Sequence, residues 1–304
     1  MSAPEVSIVM RSFNEAWALR DTLAMLRKQI GPPWELIVID SGSTDGSVEM
    51  IREFNPAHFV QIASRDYVPG RVMNHGMRLA RANKVLFLNA DATPANENWL
   101  APLARALEKP NVAAVFGRQI PRPDCRAVFA CDYERCFGEN RESANWDHFF
   151  SMVSSGLRKD IWSRRGFLEN LQYAEDDEYT RWAKNNGYEV VYCGDSIAIH
   201  SHNYTPQQAY KRAFGDAKAL AAPWPGKPSD FNWPKTVLLG WANDFRHDFK
   251  FCLKRGHISE LPHAAKIRWN QRRGRLDGFR EGWKTYRAGA TEPSVVSAPK
   301  PRVA

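Results

Sequence analysis

The sequence has no uninterrupted apolar run approaching the roughly 18 to 20 residues that a membrane span needs. Residues 1–5 lack the basic start and apolar core of a secretory signal, so none is expected. Cysteine is sparse. Cys125, Cys131, Cys136, Cys193 and Cys252 form no CxxC pair and no zinc spacing. A disulfide framework and a structural zinc site are therefore not expected, and free thiols in a reducing cytosol are. No GxGxxG follows a strand-like run and no GxxxxGK[ST] occurs, which removes the main support for a dehydrogenase or a P-loop NTPase. No nucleic-acid-binding module signature is present, so no nucleic-acid partner is expected.

What is present is an ordinary globular composition with an uneven charge. Of 304 residues, 43% are hydrophobic and 25% charged, which excludes wholesale disorder. The formal charge is +8. Residues 205–304 hold 19 Lys and Arg against 8 Asp and Glu, leaving 23 against 26 in residues 1–204. A slightly acidic front two-thirds thus joins a basic third, a pattern suited to an anionic surface.

Short apolar runs mark buried strands at Val6–Met10, Glu35–Asp40, Phe59–Ala63, Lys84–Leu88 and Val112–Phe116. Between them lie helical patterns, the first over Glu15–Gln29 with Asn14 as its cap, another over Arg71–Ala82. Strands alternating with helices indicate a doubly wound, mostly parallel α/β sheet. Beyond Arg118 the pattern loosens: residues 121–147 read as an irregular insertion. A helix starts near Ala174, and Tyr188–Cys193 and Ile197–His200 read as strands. Three regions follow: a catalytic-type α/β domain over 1–204, a helical, basic and aromatic-rich region over 205–290, and a loose tail over 291–304.

In open α/β sheets, ligands sit beyond the carboxyl ends of the strands. Three polar groups fall there: Arg11, Ser12 and Asn14 after the first strand; Asp40, Ser43, Thr44 and Asp45 after the second; Asn89 and Asp91 after the fourth. Carboxylates at a nucleotide site bind ribose or base groups, or hold a cation that neutralises a diphosphate. Asp40 suits the first role and Asp91 the second, although DSGSTDGS is also an ideal turn and cap sequence. Ala174–Tyr179 places Glu175, Asp176, Asp177 and Glu178 in a row, and one of these can take a proton from an attacking hydroxyl. His200 and His202 would face one side of an extended segment, placing an imidazole on a metal.

The runs VSIVMRSFNEAWALRDTLAML, ELIVIDSGSTDGS and VLFLNADATP resemble the inverting nucleotide-sugar glycosyltransferases of family 2. VAAVFGRQIPRPD, AEDDEYTRW and IAIHSHNYT are similar to its bacterial rhamnosyltransferase-type subgroup. The resemblance covers roughly the first two-thirds of the chain. It implies a GT-A fold, a nucleotide-diphosphate sugar donor and Mg²⁺ or Mn²⁺. Carried across, Asp40 would contact the nucleotide with Asp45 supporting its loop, Asp91 and His202 would serve the metal with His200 beside them, and Asp176 would be the general base. By their places in the chain, Arg11, Asn14, Ser43 and Asn89 at the strand ends and Glu175 beside Asp176 are expected to serve the nucleotide sugar too, and Arg71, directly after Val68-Pro69-Gly70, to reach its diphosphate. The family's Asp-x-Asp has Asn89 in its first place here, an oxygen ligand without charge. The implied reaction is an inverting sugar transfer in bacterial surface polysaccharide synthesis, to a glycan or lipid-linked acceptor at the inner face of the cytoplasmic membrane. A nucleotidyltransferase that makes nucleotide sugars is the alternative, but RSFNEA stands where its glycine-rich basic run would follow the first strand. In the basic third, Trp224, Trp233, Trp241, Phe245 and Phe249 interleave with Lys235, Arg246, Lys250 and Lys254. Leu238, Trp241, Phe245 and Phe249 fall near one stripe, either an interfacial face against anionic lipid or a face packed within the protein.

Overall fold

The computed structural model describes residues 3–221, 229 and 231–287; the tail expected over 291–304, and Trp224, lie outside them. Two compact units are present. One is drawn from Met1–Asn203 with Lys250–Leu261, the other from Tyr204–Phe249 with Pro262–Ala304.

The first unit is built on an eight-stranded sheet. Its strands are β1 (Val6–Ser12), β2 (Trp34–Asp40), β3 (His58–Gln61), β4 (Lys84–Asn89), β5 (Thr93–Pro94), β6 (Val112–Ile120), β7 (Ser154–Arg158) and β8 (Glu189–Ile199). They lie in the order β3-β2-β1-β4-β7-β6-β8-β5. The first four in that order are mutually parallel. β7 runs against both β4 and β6, β8 is parallel to β6, and β5 runs against β8. The helices of this unit are α1 (Ala16–Arg27), α2 (Ser47–Phe54), α3 (Pro69–Leu79), α4 (Leu100–Ala106), α5 (Ala127–Phe137), α6 (Lys159–Trp162) and α7 (Glu175–Asn185).

Successive residues of a strand point to opposite faces, and here both faces are covered, which is why the strands read as unbroken apolar runs. Ile8, Met10, Leu36, Val38, Leu86 and Leu88 pack on one face with Leu19, Leu23 and Leu26 of α1 and Leu100 and Leu103 of α4. Val9, Ile37, Val85 and Phe87 pack on the other with Met73 and Met77 of α3 and Tyr179 of α7. Each fully buried aliphatic side chain contributes about 1.5–3 kcal/mol of transfer free energy.

Several expectations change. Asn14 does not cap α1: it sits at φ 55, and its Oδ1 accepts from the Thr44 N–H instead. The α1 cap comes from the next loop, where Asp45 Oδ2 accepts from the Ala16 N–H at 2.9 Å. Tyr188–Cys193 and Ile197–His200 are one strand, β8, with an irregular step opposite Gly117 and Arg118. The insertion over 121–147 contains α5. β7 has no apolar run to announce it.

The second unit contains α8 (Pro206–Leu220), most of α9 (Gly240–Arg255) and nearly all of α10 (Leu261–Arg287). Thr205 and Gln208 form a reciprocal capping box at the start of α8. α10 approaches α8 closely because Gly274 and Gly278 lie on one face; a Cβ on them would stand 2.3 Å from Tyr210 O and 2.1 Å from Phe214 O. α9 meets α10 through buried bidentate pairs, Asp248 with Arg268 and Asp244 with Arg272. The aromatic stripe is therefore split. Trp241 stacks on Phe245 and donates its indole N–H to Ala265 O, whereas Leu238 and Phe249 are exposed. No helix among the described residues is long and apolar enough to cross a membrane.

Candidate active site

The parallel register sets the site. Ser12 lies opposite Asp40, and Arg11 opposite Asn89, so β1, β2 and β4 end side by side. Their following loops share one edge, as the ligand rule for open sheets requires.

After β2, the DSGSTDGS loop is fastened by its own carboxylates. Asp40 is fully buried, with Oδ1 accepting from the Gly42 and Ser43 N–H groups and Oδ2 from the Ser43 hydroxyl. Ser43 Oγ in turn accepts from the Asn14 N–H at 2.8 Å. Asp45 accepts from Ser47 through both its N–H and its hydroxyl. Desolvation works against the Asp45 charge, but these donors outweigh it and hold the carboxyl below its usual range. The residue of this loop that reaches the cavity is Ser41.

That cavity, of about 270 Å³, is lined by Arg11, Ser12, Glu15, Ser41, Tyr67 and Asn89, among others. Arg11 is its hub. It donates to Asn89 Oδ1 at 3.0 Å and stands 3.6 Å from Glu175 Oε1. Burial opposes its charge, but Tyr67, Glu175, Asp176 and Glu15 together raise the guanidinium above its ordinary value. Burial, reinforced by the negative charge of Asp91 and opposed by the Phe13 N–H and Arg11, pushes the Glu15 carboxyl up to about 8. At neutral pH Glu15 is thus protonated and can donate a hydrogen bond.

Just past β4, Asp91 is 1% exposed, and its Oδ2 lies 3.0 Å from His202 Nε2 and 3.5 Å from His200 Nε2. The ligand atoms of Asp91, His200 and His202 all lie within 4.8 Å of one another. The Asp91 Oδ1 atom is buried with no hydrogen-bond donor among the described residues. His200 Nδ1 faces Tyr133 Oη at 2.8 Å and Gln119 Oε1 at 3.1 Å, an arrangement that leaves Nε2 to ligate. Burial would raise the Asp91 carboxyl, but His202, His200 and Arg122 hold it below its usual value, so it is ionised. A buried anionic oxygen without a donor and two imidazole nitrogens fit a divalent cation. The set is complete only with His200, and the amide of Asn89 serves Arg11 instead.

Asp176 occupies the first turn of α7. Its Oδ2 accepts from the Met152 N–H at 3.2 Å and its Oδ1 from the Asp177 N–H at 2.9 Å. Burial raises its pKa; those two N–H groups and Arg11 oppose the rise. A carboxylate with a raised pKa and lone pairs to spare has the properties of a general base. Arg11 couples to both Glu175 and Asp176, which draws α7 to the ends of β1 and β4. Arg71 is not drawn in: it is exposed at the start of α3, lies 3.8 Å from Glu169 and lines no part of the cavity.

Sequence reasoning passed over Glu15, Tyr67 and Arg122. Glu15 was legible in principle, standing in RSFNEA directly after a strand end. Arg122 was not: it donates to the Asp91 backbone carbonyl and stacks on Trp17, contacts that span the whole sheet edge.

An open, mostly parallel sheet with an arginine-centred cleft at its strand ends and a buried carboxylate–imidazole cluster beside it is the kind of site that handles a phosphorylated ligand. Residues 7–165 match Glycosyl transferase family 2, and the chain belongs to that family and is a glycosyltransferase, which decides against the nucleotidyltransferase. It is 28% identical over 234 residues to the O-antigen chain rhamnosyltransferase RfbN of Salmonella typhimurium, covering 72% of this chain and 74% of that one. It is 26% identical over 205 residues to the glycosyltransferase AglE of Haloferax volcanii, covering 65% and 67%. Among solved structures it shares the GT-A-like fold of the mannosyltransferase PcManGT from Pyrobaculum calidifontis, determined with GDP-Man and Mn²⁺. The TM-score is 0.64 at 19% identity, over 93% of this chain and 88% of that one. S. aureus TarS 1-349 in complex with UDP aligns with a TM-score of 0.53 at 17% identity, over 94% and 92%.

Proposed function

We propose that the chain moves a rhamnose-type sugar from a nucleoside-diphosphate donor to a hydroxyl of a glycan or lipid-linked acceptor, with inversion, in bacterial surface polysaccharide synthesis. The observation that carries this reading is the convergence on Arg11: Asn89 from β4 and Glu175 with Asp176 from α7 meet it beside the Asp91–His200–His202 cluster. The rhamnose assignment rests on the likeness to RfbN.

The donor occupies the Arg11 cavity. Arg11, Ser41 and Tyr67 contact it, while Asp40, Ser43, Asn14 and Asp45 hold the loop that presents Ser41. Asp176 accepts the proton of the acceptor hydroxyl as that oxygen attacks the anomeric carbon opposite the leaving diphosphate. Glu175 keeps Arg11 in place. Asp91, His200 and His202 would hold a divalent cation, which when bound neutralises charge on the diphosphate. With two imidazoles beside one carboxylate, the donor set suits Mn²⁺ better than Mg²⁺, which prefers oxygen ligands throughout. Exposed Trp233, Leu238, Leu239 and Phe249 stand near Lys235 and Arg246, and support peripheral attachment to an anionic membrane surface.

The test is a panel of uridine, thymidine and guanosine diphosphate sugars assayed for hydrolysis and transfer with Mn²⁺. A thymidine diphosphate deoxyhexose should be turned over fastest. Turnover confined to another sugar class would remove the rhamnose assignment, and no turnover of any donor would remove the reading as a whole.

A further inference from the structure

A second and larger cavity, of about 530 Å³, opens in the same unit. Its lining includes Arg118, Gln119, Arg122, Tyr133, Phe251 and Arg255, and it shares no lining residue with the Arg11 cavity. The Asp91–His200 cluster touches its wall. Gln119 and Tyr133 both contact His200 Nδ1, and Arg122 donates to the Asp91 carbonyl. A transfer reaction needs two substrates close to one centre, and this cavity stands where the second would enter.

The charges of its wall point to the chemistry of that second ligand. Arg126 is neutralised by Glu260 through a bidentate pair at 2.8 and 3.1 Å, and Arg255 is paired with Glu134 at 3.1 Å. Arg118 and Arg122 have no carboxylate within ion-pair distance among the described residues, and the Nε of each is buried without a hydrogen-bond partner. A guanidinium at a cavity wall with no carboxylate partner leaves its charge uncompensated, and a phosphate oxygen is the acceptor that fits the planar fork of its terminal nitrogens.

We propose that this cavity is an anion subsite for the acceptor, in which Arg118 and Arg122 hold a phosphate or diphosphate ester. The assignment to the acceptor rests on the function proposed above; the anion site itself does not. Arg118 is the better probe, because Arg122 also contacts Asp91 and Trp17. The ester either belongs to a lipid carrier or is mimicked by the free anion, and two ligands separate these sources.

The full-length protein is saturated with a nucleoside diphosphate to occupy the Arg11 cavity. Inorganic pyrophosphate and farnesyl diphosphate are then titrated in by calorimetry. Both are expected to bind, farnesyl diphosphate at least 10-fold more tightly. Arg118→Gln should weaken both by 10-fold or more, and Arg118→Lys should restore most of the loss. Arg255→Gln, whose charge Glu134 already engages, should change either by less than threefold. Nucleoside diphosphate affinity in Arg118→Gln should stay within twofold, which also shows that the variant is folded. Loss of pyrophosphate binding on nucleotide saturation, or binding unchanged by Arg118→Gln, overturns the subsite. Equal affinity for the two probes overturns its assignment to a lipid-borne acceptor. Donor hydrolysis is measured separately and reports on the transferase reading alone.

Discussion

Replacing Asp176 with Asn separates chemistry from architecture. The side chain holds two backbone N–H groups, from Met152 and Asp177. The amide keeps one acceptor oxygen and turns its NH₂ towards the other donor, so one hydrogen bond is lost, worth about 1 kcal/mol. Against that, the Asp176 pKa is raised in the folded chain, meaning that the fold binds its proton more tightly than the unfolded chain does. Ionisation at neutral pH therefore costs stability, and the neutral amide avoids that cost. The two effects have opposite signs, and the thermal midpoint is expected to move by no more than about 4 °C. Catalysis has no such compensation. Loss of a general base lowers kcat by about 10² to 10⁴, or about 3 to 5 kcal/mol in barrier. Asp176 does not line the Arg11 cavity, so donor affinity should stay within about threefold. In the wild type, kcat/KM should rise with pH through a value above the ordinary Asp pKa of 3.8, and the acid limb should vanish in Asp176→Asn. Steady-state kinetics against pH with calorimetric donor titration measures all of this. Residual kcat above a tenth of wild type, or donor affinity falling in step with kcat, would refute the assignment of Asp176 as base.

Four further outcomes are expected. His202→Ala and His200→Ala should each weaken Mn²⁺ binding by about 10-fold or more in a calorimetric titration, and Mn²⁺ should support faster transfer than Mg²⁺ at equal concentration. Because Glu15 is protonated below about 8, nucleoside diphosphate affinity should fall as pH rises through that value, and Glu15→Gln should abolish the fall while keeping the neutral-pH affinity within twofold. Gly76→Ala places a Cβ 2.4 Å from Val9 Cγ1 and should destabilise the first unit by about 1–3 kcal/mol in urea unfolding, despite the better helix propensity of alanine. Co-sedimentation with phosphatidylglycerol vesicles should fall several-fold for the pair Leu238→Ser and Leu239→Ser, and should weaken for the wild type at high salt.

The half of the first unit built on β1, β2 and β4 was readable in the sequence and the half beyond β4 was obscure, for a physical reason. β1, β2 and β4 are buried on both faces, so their residues are apolar without interruption, and the DSGSTDGS turn between them carries its own capping chemistry. β7 is equally central but reads SSGLR. Its burial is satisfied by neighbours: Trp99 donates its indole N–H to Ser154 Oγ at 2.8 Å, and a Cβ on Gly156 would stand 2.6 Å from Leu86. Small residues there make room for large ones elsewhere, and no local pattern records that. The histidine pair was visible from its spacing and its link to Asp91 from the resemblance; the physical cause of that meeting, the antiparallel pairing of β5 with β8 that sets Thr93 opposite Ile199, was not. Arg71 shows the converse: a basic residue at a helix start stands out in the chain, and in the fold it is exposed and stands 3.8 Å from Glu169.

The reversed direction of β7 governs how the rim of the sheet is held together. Since it runs against β4 and β6, the peptide leaving each of them and the peptide entering β7 emerge on the same rim. The stretch from Pro121 to Val153, bearing α5, thereby leaves and re-enters the sheet on one rim and works as a brace there: Arg122 donates to the Asp91 carbonyl, Tyr133 meets His200 and the Met152 N–H holds Asp176, so one excursion of the chain ties three acidic and imidazole groups to a common scaffold.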